Sequence, residues 1–150
     1  MPIVDAMVDW RKDEGMTQKD VADQLNIDQS YLSRIAKGER DWPEHLDSHA
    51  AKMNWRIALE IIEERTGGWI KNRFGKVDPH PSALQLQLTK EMEEASEALE
   101  AIILRKNIDW SKRDEQLEKV QKESKDVVEV GMILNGVMQD MRKQAKEESK

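Results

Sequence analysis

The apolar positions of the chain recur at intervals of three and four residues, and strand-like alternation is scarce. That period is typical of helices with one buried face, so the pattern predicts an all-α fold. A first helix is predicted over residues 3–14. Gly15 follows it, and a glycine just past a helix end readily takes the left-handed conformation found there.

Two short helices are predicted next, with a polar corner between them. Thr17 suits the N-cap of the second helix, and Asp20 three residues later completes a capping-box spacing. Asn26 suits the corner, because asparagine tolerates positive φ better than most residues. Asp28 is predicted to cap the third helix and Gly38 to end it. The inner faces of both helices are apolar: Val21, Ala22, Leu25, Tyr31, Leu32 and Ile35.

Two more helices are predicted to complete a five-helix head. Pro43 suits the first turn of a fourth helix that carries Leu46 and Ala50. A fifth helix begins near Trp55 and ends before two glycines. Residues 67–82 contain three glycines and two prolines. The pattern therefore predicts a head over residues 1–66, a linker over 67–82 and a separate tail over 83–150.

The tail carries two long apolar patterns with helical spacing, separated by a turn at residues 107–110. This arrangement predicts an antiparallel hairpin of two helices. Two helices alone bury little surface, so the hairpin is expected to pack on the head or to pair with a second copy in a homodimer, as a four-helix bundle. The predicted dimerisation residues are Leu88, Met92, Leu99, Ile102, Leu117, Val120, Val127, Leu134 and Met138.

Composition narrows the functional classes. The chain has 150 residues, no cysteine and a formal net charge of −6. The absence of cysteine excludes disulfides and thiolate metal sites. Neither a membrane-spanning run nor a signal pattern is present, so a cytoplasmic location is expected. Residues 1–54 hold seven Lys or Arg against eleven Asp or Glu, so DNA binding by the head would need a local basic patch.

The outward face of the third helix has the chemistry that reads bases. Glutamine pairs well with adenine, arginine with guanine, and serine with either. A small residue, Ala22, stands where two steeply crossed helices touch, as in a helix-turn-helix. The predicted DNA-binding residues are Gln18, Lys19, Gln29, Ser30, Tyr31, Ser33, Arg34, Lys37 and Arg40.

The first third of the chain resembles the Cro/CI-type, or XRE-like, helix-turn-helix regulators of phages and bacteria. The residues that carry the resemblance are Thr17-Gln18, Val21-Ala22, Leu25-Asn26-Ile27, Ser30, Leu32-Ser33, Ile35, Gly38 and Pro43.

The Cro/CI resemblance implies that Gln18 contacts a backbone phosphate and that Gln29, Ser30 and Arg34 face base edges. Lys37 and Arg40 would approach phosphate. Residues 46–70 resemble CII-type phage regulators more faintly. Together these likenesses indicate a phage or prophage repressor or activator that binds a palindromic operator in double-stranded DNA.

Acidic residues of the tail support a different interpretation. Glu94 and Glu97 on one helix and Glu123 and Asp126 on the other resemble the carboxylates with which all-α MazG-type nucleotide pyrophosphohydrolases hold Mg²⁺. Carboxylate oxygens suit such hard cations. Lysines are interleaved with these residues, however, as on an ordinary solvated helix face.

We therefore predict no catalytic residue, no metal and no cofactor, and a protein that is not an enzyme. The remaining alternative is a protein-binding adaptor or antirepressor built on a helix-turn-helix fold, which the acidic surface would suit.

Overall fold

A computed structural model of the chain describes residues 2–103 and 110–149. The chain divides into two compact units, residues 1–72 and 73–150. The predicted all-α fold class, a helix-turn-helix head followed by C-terminal helices, is confirmed. The parts assigned to residues 1–66, 67–82 and 83–150 stay predictions.

The first unit is a bundle of short helices around one apolar core. Helix α1 packs on α3 and α5, α2 packs on α3 and α4, and α4 packs on α5. Ile3, Leu25, Leu32 and Ile57 are among its largest fully buried side chains, and burial of each stabilises the fold by about 1.5–3 kcal/mol. The helices are α1 (Pro2–Asp13), α2 (Gln18–Leu25), α3 (Gln29–Ala36), α4 (Asp47–Met53) and α5 (Trp55–Arg65).

The approach to α4 differs from the prediction. Pro43 has ψ 135°, which is extended, and it precedes a single 3-10 turn at Glu44–Leu46. The α-helix begins only at Asp47. The prediction that Pro43 lies in the first turn of α4 is therefore wrong. Leu46 is still buried, because the 3-10 turn directs it into the core.

The chain folds back on the first unit after α5. Thr66 Oγ1 donates to the carbonyl of Ile62 at 2.7 Å and accepts the backbone N–H of Ile70 at 3.2 Å. Asn72 Nδ2 donates to Glu60 Oε1 at 2.7 Å. Residues 66–72, most of which were predicted to be linker, thus bond to α5 and to one another.

A side-chain network joins the loop after α3 to α4 and α5. The buried indole of Trp42 donates from Nε1 to Asp47 Oδ1 at 2.8 Å. Arg65 donates to both oxygens of the same carboxylate, at 2.7 Å and 3.2 Å. Partial burial opposes ionisation of Asp47, but the hydrogen bonds from Arg65 and Trp42 and the charge of Arg65 outweigh it. The pKa of Asp47 therefore lies below its ordinary value.

The second unit is an antiparallel pair of long helices, α6 (Pro81–Ile103) and α7 (Trp110–Glu148). Leu84, Ala98, Val130 and Ile133 form the buried seam between them. Residues 107–109 of the predicted turn lie outside the described part of the chain. Among the described helices, none is both long enough and apolar enough to cross a membrane.

Replacement of Asp47 by asparagine is expected to lower the free energy of unfolding by about 1–3 kcal/mol at pH 7, because charge-assisted hydrogen bonds are lost. A carboxylate with a lowered pKa in the folded protein stabilises it above the ordinary value of 3.8, and this contribution disappears as the pH falls through the folded-state pKa. Urea unfolding at pH 7 and pH 3 measures both effects.

Glu44→Gln is the matched control, because Glu44 is exposed and lies 3.7 Å from the same arginine. It should change stability by less than about 0.5 kcal/mol. An equal loss in the two variants, or a loss in Asp47→Asn that persists at pH 3, would contradict this account.

Candidate nucleic-acid interface

The start of α2 is fixed by a reciprocal cap. Asp20 N donates to Thr17 Oγ1 at 3.1 Å, and Thr17 N donates to Asp20 Oδ2 at 2.9 Å. The hydrogen bond from the Thr17 backbone, followed by that involving its side chain, lowers the pKa of Asp20. The predicted capping box is thus confirmed. Gln18 and Lys19 form the first turn beside this cap, and Lys19 is exposed.

The corner between α2 and α3 turns at Asn26, which is left-handed with φ 57° and ψ 44°. Ile27 N reaches back to the carbonyl of Ala22 at 3.0 Å. Ala22 is itself buried, so its methyl group lets the two helices approach closely. The predicted roles of Asn26 and Ala22 are both confirmed.

Helix α3 has two chemically different faces. Leu32 and Ile35 are buried in the core. At about 100° per residue, the opposite face presents the predicted base-reading groups. Gln29, Ser30 and Arg34 are exposed and Ser33 is half-buried, and Lys37 follows the last turn and is exposed.

The loop after α3 folds against the end of the helix. The carbonyl of Arg34 accepts the N–H groups of Glu39 at 2.9 Å and of Arg40 at 3.3 Å. Gly38 allows this turn with φ 78°. The Arg40 guanidinium then lies over the Tyr31 ring, 5.6 Å from its centroid. Tyr31, which is half-buried, therefore holds Arg40 next to α3.

Acidic groups stand beside this surface. Asp23 and Asp28, with Asn26, Ile27 and Tyr31, line an open cavity of about 440 Å³ at the corner. Asp28 occupies the N-cap position of α3, but its side chain makes no capping hydrogen bond. The predicted cap is therefore wrong, and the carboxylate stays next to the residues that would meet DNA.

The predicted dimerisation residues lie next to the seam of the hairpin. Met92 and Leu99 on α6 are 54% and 48% exposed, and Leu117 on α7 is 47% exposed. The others of the set are half-buried: Leu88, Ile102, Val120, Val127, Leu134 and Met138. The hairpin therefore leaves an apolar stripe along its surface.

The acidic residues of the tail come together in a different register from the predicted one. Carboxylate oxygens of Glu91, Glu123 and Asp126 lie within 4.8 Å of one another. Glu94 acts on Glu123, whereas Glu97 is exposed and is not in the group. The set with Glu97 is therefore wrong by a helical turn or more.

Glu91 was missed, although the sequence held a signal for it. It stands seven residues after Leu84 and seven before Ala98, and all three side chains are buried. A carboxylate at a seam position of a heptad pattern is unusual and could have been noticed. Glu129 on α7, which is also buried, and Arg73 before α6 were missed too.

Arg73 and Glu123 have opposite surroundings in this group. Arg73 bonds Asp126 and lies 3.2 Å from Glu129. Burial raises the pKa of Glu123, followed by a hydrogen bond with Glu94 and by the charges of Glu94 and Asp126, while the charge of Lys122 opposes them. Glu123 thus lies in a predominantly negative environment.

Comparison with known proteins bears on the first unit. Residues 9–43 match the helix-turn-helix family, which confirms the resemblance to XRE-like regulators over that segment. No curated protein and no solved structure matches the chain. The match supports a DNA-binding transcription regulator.

Asn26 provides a test of the corner. Asn26→Ala is expected to lower the free energy of unfolding by about 1 kcal/mol, because a Cβ residue without a polar side chain is strained at positive φ. Asn26→Gly should be nearly neutral, since glycine adopts this conformation freely. Urea unfolding of the two variants decides, and equal destabilisation by both would show that the backbone conformation is not what the corner requires.

Proposed function

We propose that the protein is a sequence-specific transcription regulator that places α3 in the major groove of an operator. The observation that carries the proposal is the helix-turn-helix match over residues 9–43. The exposed polar face of α3 supports it. Arg34 would contact guanine, Gln29 adenine, and Ser30 and Ser33 either base.

The phosphate contacts are proposed for residues that flank this face. Gln18 and Lys19 lie at the N-terminus of α2, where backbone N–H groups favour anions. Lys37 and Arg40 lie at the other end of α3. Contacts at both ends of the reading helix would fix its register on the duplex, because phosphate contacts position a protein without reading sequence.

Two heads are needed for firm binding. The head has few basic residues, and Asp23 and Asp28 lie beside its reading surface. One half-site would therefore be bound weakly. Joining two heads makes the second contact intramolecular and raises the affinity through effective concentration. We therefore propose that the operator is palindromic, with half-sites spaced to match the two-fold symmetry of the protein.

A second copy of the chain is the proposed occupant of the apolar stripe on the tail. The hairpin has one narrow buried seam, and Met92, Leu99 and Leu117 remain about half exposed beside it. An exposed apolar strip of this kind is typical of an association surface. Pairing of two hairpins would bury it within a four-helix bundle.

The biological setting that fits these proposals is a phage or prophage. The head resembles Cro/CI-type repressors, and residues 46–70 more faintly resemble CII-type activators. We therefore propose control of a small set of phage promoters, as a repressor or as an activator.

Selection from a random duplex library with the purified protein tests base reading. We expect a palindrome with fixed half-site spacing. Arg34→Ala should then lower affinity for that operator by about 1–3 kcal/mol and relax one position in each half-site.

Lys37→Ala is the matched comparison, because it removes the same charge from the same helix end. It should weaken all sequences alike and flatten the salt dependence. No enrichment at low salt would contradict the proposal and favour the protein-binding alternative. Unchanged selectivity in Arg34→Ala would show that α3 is not the reading helix.

Leu99→Asp is expected to convert the protein to a monomer in analytical ultracentrifugation at micromolar concentration, because a charge in the buried bundle would lack a partner. Leu86→Asp is the control. Leu86 is 74% exposed, and it lies about 160° around α6 from Leu88. It should leave the dimer intact. A monomeric wild-type protein, or dissociation in both variants, would exclude this dimer surface.

A further inference from the structure

The second unit holds a group of carboxylates that two helices bring together. Glu91 projects from α6, and Glu123 and Asp126 project from one turn of α7. An oxygen of each lies within 4.8 Å of the other two. Residues three apart on a helix share a face, which is why Glu123 and Asp126 meet Glu91 together.

The positive charges around this group lie at its margins. Arg73 bonds Asp126 and also Glu129, so its charge is divided between two carboxylates. Lys90 reaches only the exposed Glu94, at 3.9 Å. Lys122 acts on Glu123 from its own helix, where Glu94 and Asp126 oppose it. The side chains of Glu91, Glu94, Glu123, Asp126 and Glu129 thus outnumber the cations that face them in the described part of the chain.

One oxygen gives the group its direction. Glu123 Oε2 is closed to solvent and has no hydrogen-bond partner. Glu91 Oε1, by contrast, accepts from Gln87 Nε2 at 2.5 Å, and Asp126 is held by Arg73. A buried carboxylate oxygen without a partner is costly unless something positive binds it. This unpaired atom is distinct from the mere proximity of acidic residues, and it calls for a ligand.

We propose that Glu91, Glu123 and Asp126 form a binding site for a hard divalent cation, Mg²⁺ or Mn²⁺, between α6 and α7. The donors are all carboxylate oxygens, which suit these ions. Oxygens 4.8 Å apart can reach one cation after small side-chain movements, because Mg²⁺ binds oxygen at about 2.0–2.1 Å. Three protein ligands leave coordination positions for water, as Mg²⁺ requires.

The cation would link the two helices as well as neutralise the group. Glu91 is on one helix, and the other two ligands are on its partner. A bound ion therefore opposes separation of α6 and α7, and ligand binding to the folded state raises thermal stability. This function of the second unit is independent of the proposed DNA binding, and each can fail alone.

Titration of the full-length protein with MgCl₂ or MnCl₂ at pH 7.5 tests the site, by calorimetry and by electron paramagnetic resonance of Mn²⁺. We expect one saturable site per chain and a melting temperature that rises with cation concentration. Glu123→Gln should weaken binding by at least about tenfold, because the charge of the ligand set controls affinity. Glu91→Gln should do the same, which secures the test if one variant folds poorly.

Glu97→Gln is the control, because it removes an exposed carboxylate from the same helix as Glu91 and should leave the affinity unchanged. Absence of a saturable site up to about 10 mM cation, above the range of the weakest protein sites, would overturn the proposal. Equal weakening by Glu97→Gln and Glu123→Gln would overturn it as well, since binding would then be diffuse attraction to an acidic surface.

Discussion

Burial of one side of α3 determines what its other side can do. Leu32 and Ile35 are held in the core of the first unit, where α1 and α2 pack on the helix. Because a helix turns about 100° per residue, fixing these two side chains fixes the direction of every other one on α3. Gln29, Ser30 and Arg34 are therefore presented together. The polar surface is a consequence of the apolar contact.

The first unit balances this surface against its own charge. The same corner that orients α3 places Asp23 and Asp28 next to it, and the chain as a whole is acidic. Electrostatic attraction to phosphate supplies most sequence-independent affinity for DNA. A protein with little of it must rely on base contacts and on joined heads. The negative charge would thereby suppress binding to irrelevant DNA.

The sequence predicted best those features that local chemistry decides. Thr17 with Asp20, and Asn26 at the corner, were predictable because a capping box and a left-handed residue involve only near neighbours. The prediction was wrong where the alternatives are similar in energy. Pro43 suits a 3-10 turn as well as an α-helix, and Asp28 can occupy an N-cap position without bonding.

The carboxylate group shows a different limit. The spacing identified Glu94, Glu123 and Asp126, but the choice of Glu97 over Glu91 depended on how α6 is rotated against α7. That rotation is set by packing along the entire seam, from Leu84 to Ala98. A residue count within one helix cannot determine it. The sites of the second unit are thus decided by contacts between helices.

The contact of Arg40 with Tyr31 has a consequence for the time course of recognition. A free arginine side chain explores many rotamers and loses that freedom when it binds a phosphate. Arg40 has its guanidinium 5.6 Å from an aromatic centroid, and its backbone is tied to the end of α3. Much of the ordering cost has then been met before DNA arrives. An encounter with the duplex needs fewer rearrangements, so a larger share of collisions can proceed to a bound complex.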